Sequence, residues 1–435
     1  MAKRVIVGIV LSLVAAGATP AFAQTQPFRG LFGAPAGTAP RESLDLSASL
    51  FAVNDTNLPR LVNPNRSDAL SRPDVRYTDM RAGLWFTKRG ERTNFSANGT
   101  STAQYYPQLS NAVRWSGAGA VAFSRTTRRA RFGVDQQVWY SPYAHFRVIP
   151  VSDGTSTALA DVTAPDVALA VTGRESYRYN SGINAGVQLS RRSMLATSYR
   201  HEYLDFVPVD QFDWRRQDAS VALTHSLTAK TALVGGYTYH VRNFQGERQP
   251  LNRQDLNFGV NYNSALPFSP QTTLTFAIGS TALSRSTTSR TAERDDTFFR
   301  MIGRADLDHQ MGQTWHVGVF YNRAVQYIEG ISEVFLADSI TGNLRGYLGP
   351  RVEVRLTSGY STGPLRLGPR QRAYDTSAST GRLRLAISRG LAAQAEYVYY
   401  RYVFSDTVTL PTGTPYRANR HVFRVGLTTW VPLLN

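Results

Sequence analysis

The stretch TGRLRLAISRG, residues 380–390, alternates basic and apolar side chains. Arg382 and Arg384 occupy one set of positions, and Leu383 and Leu385 occupy the other. Successive side chains of a strand point to opposite faces, so this pattern predicts a β-strand whose faces meet different surroundings. In a soluble sandwich the leucines would fill a core and the arginines would meet bulk water. In a closed barrel within a membrane the leucines would meet lipid and the arginines would line the interior.

The first residues of the chain have the pattern of a secretory signal. A charged start at Lys3 and Arg4 precedes an apolar run, which ends in the small-x-small cleavage site Ala21-Phe22-Ala23. The apolar run is too short to cross a bilayer as a helix. We therefore expect residues 1–23 to be a signal peptide and the mature chain to begin at Gln24.

The composition is compatible with an exported chain built of strands. Hydrophobic residues make up 42% of the chain and the mean hydropathy is −0.28, so average hydropathy does not mark a membrane protein. Alternating strands give this result because lipid-facing and lumen-facing residues cancel within any window. The chain has no cysteine, which excludes disulfides and a lipid anchor on cysteine.

The formal net charge is +17. Such a basic balance is typical of nucleic-acid-binding proteins when the charges gather on one exposed face. Here the lysines and arginines are spread through alternating segments along the whole chain. We therefore expect no nucleic-acid partner.

Strand patterns follow one another from residue 43 to the end of the chain. The candidates lie near residues 43–54, 78–89, 92–106, 111–127, 130–143, 174–191, 193–206, 213–228, 231–245, 252–266, 272–287, 296–311, 313–330, 336–349, 351–363, 373–389, 391–406 and 416–433. No long stretch outside the predicted signal keeps a helical period. We therefore predict an all-β fold, a transmembrane antiparallel β-barrel of about 18 strands (16 to 18), which occupies residues 43–435 after a short Pro/Gly-rich segment, residues 24–42.

The connections between these segments alternate in length. The short ones contain Arg89-Gly90, Arg128-Arg129, Arg191-Arg192, Ala229-Lys230, Gly312, Gly349-Pro350 and Arg389-Gly390. The longer ones are residues 55–77, 144–173, 207–212, 246–251, 288–295, 364–372 and 407–415, with Tyr106-Pro107-Gln108 as a short exception. Outer-membrane barrels have short periplasmic turns and longer external loops, whereas a sandwich has no reason to sort its loops. This alternation is the strongest indication of a barrel.

Aromatic residues concentrate near the ends of the predicted strands. They are Tyr105-Tyr106, Trp139-Tyr140 with Tyr143, Tyr199 with Tyr203, and Tyr397, Tyr399, Tyr400 and Tyr402. Tyrosine and tryptophan favour the membrane interface, where an apolar ring and a polar tip are both accommodated. The positions predict aromatic girdles, although strand propensity alone also enriches aromatic residues.

With its signal, alternating strands and sorted loops, the chain resembles the bacterial outer-membrane β-barrels of porin type over nearly all of residues 43–435. The resemblance implies a place in the cell outer membrane, contact with lipid and lipopolysaccharide, and insertion by the barrel-assembly machinery. One departure concerns the last residues, because such barrels usually end in an aromatic residue and here the nearest one is Trp430. Residues 24–42 are too few to plug a barrel, so a gated siderophore-type transporter is not expected.

An apolar face turned to lipid would place many arginines in the lumen. The pore-lining candidates are Arg81, Arg131, Arg178, Arg200, Arg242, Arg300, Arg304, Arg345, Arg351, Arg355, Arg382, Arg384, Arg424 and Glu353. Further acidic candidates on this face are Glu202, Asp306, Asp308 and Glu396. The excess of positive charge predicts a lumen that concentrates anions and opposes cations.

Two other interpretations of charged residues remain open. The arginines could form ladders with carboxylates that only stiffen the wall, and Asp306 and Asp308 beside Arg300 and Arg304 have the spacing of such a network. The loop at residues 144–173 could fold into the lumen as the third external loop does in many porins. Its acidic candidates for a constriction are Asp153, Asp161 and Asp166.

Catalytic signals are weak. Residues 359–363 match the G-x-S-x-G pattern, but a nucleophile elbow needs a strand–turn–helix context, and this motif lies at the end of a predicted strand. His225 and Ser226 are adjacent and would face opposite sides of a strand. We therefore predict no enzyme, no metal site and no cofactor.

The sequence favours a channel for passive passage of hydrophilic, anionic small solutes. An export channel for an acidic polysaccharide is a second hypothesis, because an anionic polymer would use the same arginines. A structural or binding barrel with an occluded lumen is a third. Large lumen side chains with fully paired charges would favour the third.

Overall fold

The computed structural model describes residues 41–56, 74–107, 112–142, 144–146, 169–172, 175–207, 213–244, 251–266, 269–289, 292–327, 334–364, 372–408, 410 and 416–434. The predicted signal peptide lies outside these residues, as does almost all of the Pro/Gly-rich segment, so both remain predictions. The acidic candidates of the 144–173 loop, Asp153, Asp161 and Asp166, also lie outside the described residues.

The described chain is built of β-strands. They are β1 Glu42–Thr56, β2 Asp74–Arg89, β3 Thr93–Tyr106, β4 Ala112–Thr126, β5 Ala130–Ser141, β6 Ala144–Phe146, β7 Leu169–Thr172, β8 Glu175–Gln188, β9 Ser193–Val207, β10 Trp214–Ser226, β11 Thr231–Phe244, β12 Leu251–Leu266, β13 Ser269–Ser289, β14 Ala292–Met311, β15 Trp315–Tyr327, β16 Val334–Leu348, β17 Val352–Pro364, β18 Arg372–Ala386, β19 Leu391–Phe404 and β20 Arg417–Leu434. No helix in the described part of the chain is long and apolar enough to cross a bilayer.

Eighteen of the strands form one closed antiparallel sheet. Each pairs with its neighbours along the chain, β5 pairs with β8, and β1 pairs with β20 to close the ring. The short strands β6 and β7 pair only with each other and form a separate hairpin. The predicted all-β barrel of about 18 strands is therefore confirmed. Closure leaves no unpaired sheet edge, which is the condition for strands to cross a membrane.

The two faces of the sheet differ as the alternation predicts. Large apolar residues on the outer face are exposed, as with Leu383 at 47% and Leu385 at 44%. The charged residues that alternate with them, Arg382 and Arg384, point inward. The same division appears in β1, where Leu50 is 53% exposed. An apolar exterior around a polar interior is the arrangement of a transmembrane barrel and the reverse of a soluble sandwich.

Two details of the connections differ from expectation. Residues 288–295 are not a long loop, because β13 continues to Ser289 and β14 begins at Ala292. The sequence here is polar at successive positions and lacks the alternation of a lipid-facing strand, although the backbone pairing continues. The small β6–β7 hairpin within the 144–173 loop is also absent from the prediction.

Several aromatic residues expected in the girdles face inward. Tyr106, Tyr400 and Tyr402 are 1%, 3% and 1% exposed and belong to two apolar clusters on the inner wall, and Trp139 shares the inward parity of β5. Tyr397, by contrast, is 44% exposed on the outer face. Strand ends alone therefore do not identify girdle residues, because the inner wall also accepts aromatic rings.

Candidate functional site

The candidate site is the inner surface of the barrel. Strand alternation places thirteen of the fourteen pore-lining candidates on the inward face: Arg81 in β2, Arg131 in β5, Arg178 in β8, Arg200 in β9, Arg242 in β11, Arg300 and Arg304 in β14, Arg345 in β16, Glu353 and Arg355 in β17, Arg382 and Arg384 in β18, and Arg424 in β20. Arg351 is the exception, since it lies in the turn between β16 and β17. Strand β17 begins at the next residue, Val352, so alternation assigns no face to Arg351.

Glu353 collects three of these arginines. Its carboxylate lies 3.2 Å from Arg345 Nε, 3.7 Å from Arg355 Nη2 and 3.5 Å from Arg384 Nη1. Three neighbouring strands supply these groups, because Arg345 pairs with Arg355 and Glu353 pairs with Arg384 in the sheet register. One negative charge is thus shared among three positive charges.

Glu396 forms a second centre beside the first. Arg382 Nε donates to its Oε2 at 2.9 Å, and Arg424 Nη1 donates to its Oε1 at 2.9 Å. Gln394 links the two centres, because Arg384 donates to its side-chain oxygen at 3.3 Å. The two centres therefore form one continuous surface on β16 to β20.

We call this surface the basic wall. It consists of Arg345, Arg355, Arg382, Arg384 and Arg424 with Glu353 and Glu396. The two carboxylate side chains are only 4% and 2% exposed, whereas those of Arg345 and Arg355 are 41% and 43% exposed. The acidic groups thus lie beneath the arginines. A solute in the lumen meets guanidinium groups first.

A second cluster, on β8 to β12, combines basic and acidic side chains. His240 lies between two carboxylates, with Nδ1 2.6 Å from Asp218 and Nε2 3.0 Å from Asp255. Arg216 Nη2 lies 2.7 Å from Asp218, and the remaining pair joins Arg178 to Glu202 at 3.7 Å. The cluster thus brings Arg178, Arg216 and His240 together with the carboxylates of Glu202, Asp218 and Asp255.

The remaining inward arginines have separate surroundings. Arg81 Nη2 lies 2.6 Å from Asp79, and Arg242 stacks on Trp214 with its guanidinium 4.4 Å from the ring centre. Arg131, Arg200 and Arg304 are exposed on the inward face. The excess of positive charge is therefore concentrated on the basic wall, with single exposed arginines elsewhere.

The suggested network of Asp306 and Asp308 with Arg300 and Arg304 stays a prediction, and two of its members have other contacts as well. Asp308 lies 2.9 Å from His316 Nε2 on β15. Arg300 donates to the backbone carbonyl of Phe299. The register between two strands determines which side chains become neighbours. The register of β14 and β15 brings Asp308 next to His316, and the sequence does not reveal this register.

Several charged residues of the inner wall are not among the candidates from the sequence. They include Arg216, Asp218, His240, Asp255, Asp79 and the buried pair Asp55 and Arg420. All of them share the inward parity of their strands, so the alternation that selected the other candidates would also have found them.

The G-x-S-x-G match has no catalytic geometry. Residues 359–363 lie inside β17, and Ser361 is fully buried and lies 3.0 Å from the hydroxyl of Tyr374. A nucleophile elbow would need a tight turn that exposes the serine, and a regular strand does not supply one.

No protein-family model matches the sequence, and no curated protein matches it. Among solved structures, the chain is similar to OccAB3 of Acinetobacter baumannii, at 11% identity, a TM-score of 0.44, and coverage of 90% of this chain and 99% of that chain. It is also similar to OccK2 (OpdF) of Pseudomonas aeruginosa in complex with glucuronate, at 9% identity, a TM-score of 0.45, and coverage of 90% and 98%. The siderophore receptor PirA of Pseudomonas aeruginosa is similar at 11% identity, a TM-score of 0.39, and coverage of 89% and 80%.

Proposed function

We propose that this outer-membrane β-barrel conducts hydrophilic solutes passively and favours anionic ones. The basic wall is the observation that carries the proposal, because five arginines there surround two buried carboxylates. The formal charge of this group is positive even if every carboxylate is ionised. No covalent step is involved.

The mechanism is electrostatic. The outer face of the wall contacts lipid, and low-dielectric surroundings focus the field of the arginines into the lumen. This field raises the local concentration of anions and opposes cations, as rings of arginine or lysine do in anion-selective pores. Polar and charged inward residues keep the surface wettable at the basic wall.

The type of side chain also favours particular anions. A guanidinium group presents several donors in a planar fork, which matches carboxylates and phosphates. Arg345 and Arg355 are the best placed for such contacts, because about half of each side chain is open to the lumen. Carboxylated or phosphorylated small solutes are therefore the favoured substrates.

An acidic polysaccharide would meet the same arginines. The two substrate classes differ in size and in the number of simultaneous contacts. A polymer would occupy several arginines at once and would block the current of small ions while it passes. Blockade by acidic oligosaccharides that lengthens with chain length would therefore favour the export hypothesis over small-solute uptake.

The test is the reversal potential of the refolded protein in planar bilayers under a KCl gradient. We expect chloride to permeate more readily than potassium. The double variant Arg345→Gln/Arg355→Gln should lower the permeability ratio of chloride to potassium by about threefold. Glu353 keeps Arg384 as a partner in this variant, so the wall should still fold.

The matched control is Arg401→Gln/Arg417→Gln, which removes two exposed arginines at the ends of β19 and β20 that carry the longer loop. It should leave the permeability ratio unchanged. Equal effects of both variants would contradict a role of the basic wall. A correctly folded barrel without stepwise conductance would overturn the open channel and favour the occluded structural barrel.

A further inference from the structure

A ring of basic side chains surrounds the end of the barrel that carries the short turns. We call it the basic rim, and it consists of Arg41, Lys88, Arg89, Arg92, Arg125, Arg128, Arg129, Arg191, Arg192, Lys230, Arg351 and Arg389, all exposed. The acidic residues in the described turns and in the first or last two residues of the adjoining strands are Glu42, Glu91 and Glu353, and Glu353 is buried in the basic wall. By the usual sorting of loops in such barrels, this end is periplasmic.

Almost all of the described side chains in the basic rim lack an ion-pair partner within the molecule. Among the described residues, Lys88 is the one member with an ion pair, 3.2 Å from Glu42, and both side chains are well exposed. Exposed pairs of this kind contribute little to stability. The other eleven members make no salt bridge with a described carboxylate, so their charge is available to a partner.

The geometry of the turns does not require basic residues. In each of five turns the N–H of the first residue donates to the carbonyl of the fourth. The pairs are Gly90 with Thr93, Thr127 with Ala130, Ser190 with Ser193, Thr228 with Thr231, and Ser388 with Leu391. The hydroxyl oxygens of Ser190 and Thr228 also accept the N–H groups of the third and fourth residues. The tips between these residues could therefore be any polar residues, yet they are repeatedly arginine or lysine.

The apolar outer surface extends down to the basic rim. Leu189, Leu227 and Ile387 are 58%, 47% and 52% exposed and immediately precede three of the turns. Basic residues follow them two or three positions later, at Arg191 and Lys230 among others. Lysine and arginine stems lie along apolar surface while the charged heads reach the interface. The charges thus stand at the level of the lipid headgroups.

We propose that the basic rim binds the headgroup phosphates of anionic phospholipids in the periplasmic leaflet. The distribution of the charge favours lipid over an acidic protein. The basic residues occur in the turns after β2, β4, β8, β10, β16 and β18, so they face the surrounding leaflet on most sides of the barrel. A protein partner would contact one sector. Clusters of basic residues beside a membrane-spanning segment attract anionic lipid in this way. The proposal does not depend on which solute the barrel conducts.

The test compares the lipids that the refolded protein retains from detergent containing equal amounts of phosphatidylglycerol and phosphatidylcholine with matched chains. Native mass spectrometry reports the ratio of the two bound lipids. The wild-type protein should prefer phosphatidylglycerol. The variant Arg128→Gln/Arg191→Gln/Arg192→Gln should lower this preference by about tenfold. Replacement of the same three residues by lysine should retain it, because the charge is kept.

The matched control is Arg76→Gln/Arg401→Gln/Arg417→Gln, which removes three exposed arginines from the opposite strand ends. It should keep the wild-type preference. Heat-modifiable migration on gels confirms that each variant is folded before the comparison. A wild-type protein without lipid preference, or an equal loss in the control, would overturn the proposal. Binding of polyglutamate by a barrel that shows no lipid preference would assign the rim to an acidic macromolecule instead.

Discussion

The inward arginines differ in their exposure and in their ion-pair partners. These differences determine whether a substitution tests conduction or stability. Arg382 and Arg424 side chains are 13% and 10% exposed and hold the buried carboxylate of Glu396. Removal of both would leave that charge buried without a partner, which destabilises a fold strongly. Arg345 and Arg355 are far more exposed, so their removal changes the field of the lumen with less effect on stability. Conduction is therefore best tested on the exposed pair.

A single buried acid outside the strands predicts a dependence on pH. Asp213 precedes β10, is 1% exposed, and accepts the backbone N–H of Phe206 on Oδ1 at 2.8 Å. Burial raises the pKa of the Asp213 carboxyl, the Phe206 hydrogen bond lowers it, and the charge of Asp205 raises it. Because the pKa is higher in the folded protein, folding is disfavoured as pH rises from the unfolded pKa through the folded one.

Asp213→Asn keeps the oxygen that accepts from Phe206 and removes the charge. We expect the variant to have a larger free energy of unfolding than the wild-type protein at pH 8, with the gain disappearing at pH 3. Urea titrations in lipid vesicles at both pH values measure this difference. The exposed residue Asp406 provides the control, since Asp406→Asn should show no such gain. A gain of equal size at both pH values would contradict the electrostatic explanation.

At the scale of strands, the inward and outward faces can be assigned from the sequence only where polar and apolar residues alternate regularly. β18 alternates arginine with leucine, and its two faces follow directly from the sequence. β19 reads LAAQAEYVYYRYVF and has tyrosines on both faces. Tyr397 faces outward while Tyr400 and Tyr402 are buried inside, because the interface and the inner wall both accept an aromatic ring with a hydroxyl. Such a strand is assigned by its pairing with β18 and β20 and not by its composition.

The seam between the first and last strands carries a buried ion pair. Arg420 Nε on β20 donates to Asp55 Oδ1 on β1 at 2.8 Å, and Asp55 is fully buried. We expect Asp55→Asn to lower the free energy of unfolding by about 3 kcal/mol, because the arginine loses its charged partner in a buried site. The double replacement Asp55→Asn/Arg420→Met should cost less than the sum of the single ones.

A double-mutant cycle on the refolded barrel measures this coupling. The exposed pair of Lys88 and Glu42, which joins β1 to β2, is the matched control. Its coupling should lie within about 0.5 kcal/mol of zero, because water screens both groups. A coupling at Asp55 and Arg420 no larger than that of the control would show that the seam pair does not stabilise closure.

At the scale of the whole molecule, closure turns scattered arginines into one field. Five strands, β16 to β20, contribute to the basic wall, and the cluster around His240 adds three carboxylates and two arginines from another part of the ring. An ion in the lumen experiences the sum of these groups. The distance over which the combined field acts depends on the salt concentration, because the Debye length falls from about 30 Å at 0.01 M to about 3 Å at 1 M.

We therefore expect anion selectivity to weaken as ionic strength rises. The permeability ratio of chloride to potassium should be greatest in dilute KCl and approach one above about 1 M. Reversal potentials at a constant concentration ratio and increasing total salt measure this change. In the Arg345→Gln/Arg355→Gln variant, the permeability ratio should be nearer one in dilute KCl and should change less as the salt concentration rises. A ratio that stays constant across this range would indicate selection by size or by direct contact and not by the field of the wall.

Much of this protein could be predicted from its sequence, and the reason is the period of two in a strand. The eighteen strands, the faces of those that alternate clearly and most of the alternation of short and long connections follow from local patterns in the chain. The inward direction of Arg382 and Arg384 also follows, once the apolar face is assigned to lipid. These properties depend on neighbours in the sequence, which alternate between the two faces of a strand.

Only the tertiary structure decided which charged groups meet. The sharing of Glu353 by three arginines depends on the registers of β16, β17 and β18, and the pairing of Asp55 with Arg420 joins residues 365 positions apart. The contact of Asp308 with His316 has the same origin. Alternation specifies the face of a residue but not its height relative to the next strand. The basic wall therefore exists as a surface only after the sheet has closed and set that height for every strand.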